Sequence, residues 1–127
     1  MITHSPASEA EVVATVQAVR AERTPLRIVG GGTRQTIGRP VDAAAALSLA
    51  RLTGITLYEP AEMVIGARAG TPLAEVEAVL AAKSQMLPFE PMDHRGLLAS
   101  HGTPTIGAIA AANLSGPRRI SAGAARD

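Results

Sequence analysis

The stretch Leu26-Arg27-Ile28-Val29-Gly30-Gly31-Gly32-Thr33-Arg34 carries most of the information about the fold of this chain. Its apolar run, Leu26 to Val29, predicts a short strand, and three glycines followed by a hydroxyl residue come directly after it. Because glycine has no Cβ, the backbone of such a loop can approach a ligand closely. Its successive N–H groups can then converge on an anion such as a phosphate. A flexible turn after the strand accounts for the same residues equally well.

Two common nucleotide motifs do not fit this loop. A Walker A loop requires a lysine after its glycines, and the only lysine of the chain is Lys83. A Rossmann fingerprint beginning at Gly30 would place its third glycine at position 35, where the chain has glutamine. If the loop holds phosphates, it does so in another fold.

Composition limits both the fold and the partners. A length of 127 residues fits one domain, and 25 of the apolar residues are alanine, so the core must depend on Val, Leu, Ile and Met. The net charge of +1 is too small to indicate binding of nucleic acid. The absence of cysteine excludes disulfides and thiolate metal sites. We expect no metal site, no membrane span and no signal peptide, and hence a cytoplasmic location.

Helices are predicted from their caps and apolar spacing. Ser8 and Glu11 form a capping box for a helix that ends near Glu22. Thr71 as N-cap and Pro72 at the first helical position predict a second helix that ends near Lys83. A third helix is predicted over Ile106 to Leu114.

Further strands and loops complete an α/β pattern. Short strands are predicted over Leu47–Leu49, Ile55–Glu59 and Met63–Ala67, an extended segment over Met86–Pro91 and a loop over Met92–Pro104. The fold class is therefore α/β (α+β), with a small mixed sheet flanked by helices.

Three other groups of residues are open to two interpretations. The small residues after Gly107 would let a flat ligand or another backbone approach, although a tightly packed alanine helix is the more frequent explanation. His94 and His101 are better explained as solvated loop histidines than as metal ligands. Arg118 and Arg119 suit phosphate recognition, or are simply exposed arginines.

Taken in order, several motifs resemble one family of flavoprotein domains. They are Gly30-Gly31-Gly32-Thr33, Ala69-Gly70-Thr71-Pro72-Leu73, Leu87-Pro88-Phe89-Glu90-Pro91, Thr105-Ile106-Gly107 and Ser115-Gly116. The set resembles the FAD-binding domain of the vanillyl-alcohol oxidase / p-cresol methylhydroxylase (PCMH) type. Within that family, Met86–Pro91 and Leu114–Arg119 are similar to the FAD-binding E subunits of bacterial glycolate oxidases. An enolpyruvyl reductase of the same fold matches these motifs less well.

This resemblance implies which residues bind the cofactor. The glycine loop would wrap the FAD pyrophosphate, through Val29, Gly30, Gly31, Gly32, Thr33 and Arg34. The proline segment and the Thr-Ile-Gly turn would line the flavin and ribityl side, through Pro88, Pro91, Thr105, Ile106 and Gly107. Ser115 and Gly116 would border the dinucleotide. FAD would be non-covalent, because Thr33 stands where covalently linked relatives carry histidine.

The resemblance also implies a function and a place in a complex. The chain would be an FAD-binding subunit, or a fragment of one, of a 2-hydroxy-acid oxidase, with a catalytic flavoprotein and an iron–sulfur subunit as partners. Those partners could hold it at the inner face of the membrane. No catalytic acid or base is identified within the chain.

Two departures from the family pattern favour an alternative. Ala108 replaces a frequent second glycine, and the chain stops at Asp127. We therefore expect a partial domain over residues 1–127, in which 1–84 form a first subdomain and 85–127 begin an incomplete second, antiparallel one. Exposed sheet edges predict self-association. The alternative is a non-catalytic interaction subunit of the same complex that does not bind FAD by itself.

Overall fold

The computed structural model describes residues 1–127 as five short strands and five helices. The strands are β1 (Ile2–His4), β2 (Leu26–Val29), β3 (Ala45–Ser48), β4 (Ile55–Glu59) and β5 (Val64–Ala67). The α-helices are α1 (Glu9–Ala21), α2 (Leu73–Ala81), α3 (Arg95–Leu98), α4 (Ile106–Ala111) and α5 (Arg119–Ala122), and a 3-10 turn spans Pro60–Glu62. The predicted mixed α/β class is confirmed.

The strands pair in two separate sheets. β1, β3 and β2 form a parallel sheet in that order, and β4 pairs with β5 in an antiparallel hairpin. The central position of β3 explains why Ala45, Ala46 and Leu47 are all buried. β2 lies at an edge of the parallel sheet, and this position brings the glycine loop to the edge of the fold.

The first helix begins as predicted, with one difference in its cap. Ser8 is the N-cap and its hydroxyl accepts a hydrogen bond from the Glu11 N–H at 3.2 Å. The Glu11 carboxylate accepts instead from the Ala7 N–H at 2.7 Å, one residue before the usual capping-box donor. The helix ends at Ala21 with Glu22 as its C-cap, as expected from the nearby Pro25.

The predicted cap of the second helix is wrong. Pro72 is the N-cap and the helix begins at Leu73, while Thr71 is fully buried. The Thr71 hydroxyl donates to the Arg68 carbonyl at 2.7 Å and accepts from the Gly54 N–H at 3.0 Å. Tertiary partners therefore take the oxygen that would otherwise cap the helix.

Several other boundaries differ from the sequence-based expectation. The segment 86–91, predicted to be extended, contains a turn at Pro88 and Phe89, and Glu90 has a φ of +51°. α3 lies within the predicted loop 92–104, and α4 ends at Ala111 rather than Leu114. The three-residue β1 and the four-residue α5 were not predicted, because neither is long enough to show a period.

The best-buried contacts join the starts of α2 and α4. Thr105, the N-cap of α4, pairs with Pro72, and the Leu73 N–H donates to the Pro104 carbonyl at 2.9 Å. Val76 of α2 and Ile109 of α4 are among the least exposed side chains, at 1% and 0%. The segment before α4 is thereby fixed to the core. The helices are all too short or too polar to cross a bilayer.

Replacing the Thr71 hydroxyl tests this account of the core. Thr71→Val leaves the half-buried Gly54 N–H without an acceptor, and we expect the free energy of unfolding to fall by about 1–3 kcal/mol. Thr71→Ser keeps the hydroxyl and loses one methyl group, so it should cost only about 1 kcal/mol. Urea unfolding measures both. Equal losses in the two variants would show that the hydrogen bonds do not matter.

Candidate functional site

The glycine loop leaves the sheet at the carboxyl end of β2. Val29, the last residue of the strand, is in register with Ser48, and its carbonyl accepts from the Leu49 N–H at 2.9 Å. The loop then turns through Gly32, whose φ of +75° favours glycine. The strand Leu26–Val29 and the glycines after it therefore form one edge of the parallel sheet.

Gly31 and Gly102 bring two backbones into direct contact. A Cβ at Gly31 would lie 1.6 Å from the Thr103 carbonyl oxygen, and one at Gly102 would lie 2.1 Å from the Gly31 oxygen. A Cβ at Gly30 would lie 2.6 Å from the Thr105 hydroxyl. The first two glycines of the loop are thus required for packing within the chain.

Gly32 differs from its two neighbours. The only atom near a Cβ at this position would be the Gln35 side-chain nitrogen, at 3.0 Å, at the far end of a flexible side chain. The third glycine therefore faces open space, and a ligand can approach its backbone.

A cleft of about 250 Å³ opens beside the glycine loop. It is lined by Arg27, Ile28, Val29, Gly30, Gly31, Gly32, Thr33, Arg34, Gln35, Ile37, Arg39, Val41, Ala108 and Ala112. Three of these side chains are arginines and none is acidic. The exposed side chains Ile28, Ile37 and Val41 give the same cleft apolar surface. Its chemistry suits an anion attached to an apolar or aromatic group.

Arg34 joins the glycine loop to the segment 92–94. Its guanidinium donates to the Thr33 hydroxyl at 3.2 Å, to the Met92 carbonyl at 2.8 Å and to His94 Nδ1 at 3.1 Å. Burial lowers the pKa of Arg34 from its usual value, and the Asp93 carboxylate opposes this effect. Thr33 is buried as well, and its carbonyl accepts from the Ser100 hydroxyl at 2.8 Å.

The structure brings only part of the predicted site together. The residues from Val29 to Arg34 all line the cleft. Thr105, Ile106 and Gly107 lie outside its lining, next to the loop that precedes α2. The N–H groups of Ile106 and Gly107 donate to the Thr71 and Ala69 carbonyls, each at 3.0 Å, so the chain itself uses these donors. The Thr105 hydroxyl is buried without a hydrogen-bond partner.

The other predicted residues lie away from the cleft. Pro88 lines a separate cavity of about 350 Å³ beside Tyr58, and Pro91 is half-buried outside both. Ser115 lines a third cavity, of about 320 Å³, with Arg119 and Arg126. Gly116 is buried where a Cβ would lie 2.6 Å from the Glu90 side chain. These four residues do not extend the glycine-loop cleft.

Eight residues of the cleft lining are not among the predicted cofactor-binding residues. They are Arg27, Ile28, Gln35, Ile37, Arg39, Val41, Ala108 and Ala112. Ala108, in the first half of α4, and Ala112, its C-cap, belong to the run of small residues after Gly107, and this run was the one signal available in the sequence. The segment that contains Arg39 and Val41 has no regular period, so only the folded chain shows where it lies. No group of three His, Cys, Asp or Glu residues could hold a metal ion.

Comparison with known proteins gives one family match and one similar curated protein. The model of a family described as "FAD binding domain" matches residues 2–127. Glycolate oxidase subunit GlcE of Escherichia coli (strain K12) is 43% identical over 107 residues, which are 84% of this chain and 29% of that protein. The chain thus spans less than a third of the relative that it matches.

Solved structures share the fold. An alkyldihydroxyacetonephosphate synthase matches with a TM-score of 0.72 and 22% identity, over 96% of this chain and 22% of that chain. Aclacinomycin oxidoreductase matches with a TM-score of 0.68 and 13% identity, over 97% of this chain and 23% of that chain. At these identities the likeness establishes the architecture.

Adding one methyl group at Gly31 tests the backbone contact. Gly31→Ala places a Cβ against the Thr103 carbonyl, and we expect the free energy of unfolding to fall by about 3 kcal/mol or more. Gly96→Ala is the matched control, because it lies in α3 with no neighbouring atom within 4 Å and should raise stability slightly or leave it unchanged. Thermal and urea unfolding compare the two. Similar stability of both variants would contradict the packing described above.

Proposed function

The chain belongs to the FAD binding domain family, and on that premise we propose that its glycine loop holds the FAD pyrophosphate in a 2-hydroxy-acid oxidoreductase of the glycolate oxidase type. Membership confirms the resemblance to domains of the PCMH type and establishes FAD as the cofactor. One observation carries the proposal for the loop: the cleft beside Gly32 combines an open backbone with three arginines and no carboxylate.

The residues of the cleft fit the diphosphate part of FAD. A Cβ at Gly32 would occupy space that the glycine leaves to a ligand, and the guanidinium groups of Arg27 and Arg39 can neutralise phosphate charge. At about 250 Å³ the cleft is smaller than ordinary cofactor sites, so it suits the pyrophosphate and the groups next to it rather than the whole dinucleotide. The buried Thr105 hydroxyl behind Gly30 is a further polar atom that still lacks a partner.

The remaining site residues and the mode of attachment belong to the same proposal. We assign the flavin and ribityl side to Pro88, Pro91 and the turn from Thr105 to Gly107, and the dinucleotide border to Ser115 and Gly116. Non-covalent attachment is supported by Thr33, whose hydroxyl accepts from Arg34 instead of presenting a nucleophilic nitrogen. Bound flavin supplies the hydride and electron transfer, and this chain binds and orients it.

The similarity to a glycolate oxidase subunit supports a role within a larger assembly. We propose that the chain acts with the other subunits of such a complex, including a catalytic flavoprotein and an iron–sulfur subunit, in the cytoplasm or at the inner face of the membrane through them. The subdomain boundary between residues 84 and 85 also remains a proposal. It falls in the turn after α2, where Ser84 has a φ of +56°.

A second candidate function rests on a specific observation. Ala108 lines the cleft where the family often has glycine, and the first two N–H groups of α4 are engaged by the chain. The first feature reduces the space for a cofactor, and the second reduces the number of free backbone donors. A non-catalytic interaction subunit that does not bind FAD by itself is therefore the alternative, and absence of FAD binding by the folded protein would support it.

Neutralising Arg39 tests the electrostatic part of the proposal. Arg39→Gln removes one cation from the cleft, and we expect FAD affinity to fall about three- to tenfold at low salt, with a smaller loss at high salt. Arg20→Gln is the matched control, because Arg20 is exposed in the last turn of α1 and lies outside the cleft. Quenching of flavin fluorescence measures both dissociation constants. Equal affinity in the two variants would exclude Arg39 from the site.

A pair of glycine variants tests the cradle itself. Gly32 and Gly38 both have positive φ, at +75° and +85°, so Gly32→Ala and Gly38→Ala should each cost about 1 kcal/mol of stability. Only Gly32→Ala places a methyl group inside the cleft, and we expect it to weaken FAD binding by about tenfold or more. If both variants bind FAD equally well, the pyrophosphate lies elsewhere.

A further inference from the structure

We propose that His94 is a positioning residue for the cleft, which holds the Arg34 guanidinium in place while its imidazole is neutral and releases it on protonation. The inference rests on the proposed function of the cleft, because Arg34 lines it, but the hydrogen bond itself belongs to the chain alone. The ligand proposed for the cleft is an anion of the diphosphate class.

The hydrogen bond that Arg34 donates requires one tautomer of the His94 ring. Arginine carries only donors, so the Nδ1 atom that lies 3.1 Å from Arg34 Nε must accept with its lone pair. The ring proton of the neutral imidazole is therefore on Nε2. The same Nδ1 atom lies 3.3 Å from the Met92 carbonyl, and it cannot donate there while it accepts from Arg34.

Protonation reverses this interaction. An imidazolium carries a proton on both nitrogens, so Nδ1 would point a donor at the Arg34 N–H and place two cations side by side. Arg34 then retains only the Thr33 hydroxyl and the Met92 carbonyl as anchors. The glycine loop and the segment 92–94 lose one of the bonds that connect them.

The charged neighbours of His94 do not change over the same range. They are Arg34 from the glycine loop and, on its own segment, Asp93 and Arg95. Hydrogen bonds from Arg95 lower the pKa of Asp93 to about 2, so its carboxylate stays ionised at every pH where histidine titrates. Arg95 is held to this carboxylate at 2.7 Å and stays charged. His94 is therefore the member of this cluster whose protonation would remove an acceptor from Arg34.

The segment that carries His94 is itself fixed against the glycine loop. The Ser100 hydroxyl donates to the Thr33 carbonyl, and Gly102 touches the Gly31 backbone. Release of Arg34 thus affects the orientation of one side chain while the two loops remain in contact. This separation makes positioning distinguishable from unfolding.

Hydrogen exchange of the Arg34 side chain tests the proposal on the ligand-free protein. We expect the ratio of Arg34 to Arg39 Nε–H exchange rates to rise about tenfold between about pH 8 and about pH 5.5, as loss of a charge-assisted hydrogen bond implies. Arg39 is the internal reference for the intrinsic pH dependence of exchange. A ratio that does not change with pH overturns the proposal.

Two variants assign the response to His94. His94→Gln can still accept from Arg34 but does not titrate, so its exchange ratio should be the same at both pH values. His101→Gln removes another histidine from the same segment and should behave as the wild type. Loss of the pH response in His101→Gln, or its persistence in His94→Gln, contradicts the proposal.

FAD binding separates this inference from the proposed function. In about 0.5 M NaCl, where long-range attraction is screened, we expect the wild-type dissociation constant to rise threefold or more, on the order of 0.7 kcal/mol, from about pH 8 to about pH 5.5. His94→Gln should show no such rise. FAD that binds equally well at both pH values overturns the role of His94 in binding and leaves the proposed function intact. If FAD binds at neither pH, the proposed function fails, and the exchange ratio still decides whether His94 holds Arg34.

Discussion

The contact between Gly31 and the backbone of residues 102 and 103 is the constraint on which the rest of the site depends. A Cβ on either side would overlap a carbonyl oxygen of the other, at 1.6 Å and 2.1 Å, so the two loops can meet only if both positions are glycine. Once they meet, Ser100 and His94 come within hydrogen-bonding distance of Thr33 and Arg34. The shape of the cleft is thus set by two main chains that touch.

This contact is attached to the core through Thr105. The residue pairs with Pro72 at the start of α2, and Ile109, one turn further along α4, is completely buried. A loop supported in this way keeps its backbone groups in place before a ligand arrives, which lowers the entropic cost of binding. The placement of Gly32 therefore depends on the packing of Thr105 and Ile109 in the core, rather than on the glycine sequence itself.

Short sequence patterns predicted the elements that are formed by interactions between residues close together in the chain. Strand β2, the loop after it and the Ser8 cap follow from apolar runs, missing side chains and a hydroxyl, and each is found where it was expected. The prediction failed where a distant partner takes over a group. The Thr71 hydroxyl accepts from the Gly54 N–H, which is distant in sequence, instead of capping α2, and no property of the neighbouring sequence shows that choice. Arg39 reaches the cleft through tertiary folding alone, so pattern reasoning could not find it.

The position of Ala108 shows how a neighbouring glycine accommodates one departure from the family pattern. Its methyl carbon lies 3.4 Å from the point where a Cβ of Gly30 would be, so the two residues share one small space. A side chain at position 30 would meet both this methyl group and the Thr105 hydroxyl, whereas glycine leaves room for an alanine on α4. The methyl group of Ala108, where the family often has glycine, is thus accommodated first by Gly30. What remains for a ligand is the side of the loop formed by Gly32, where a bound group can reach the backbone.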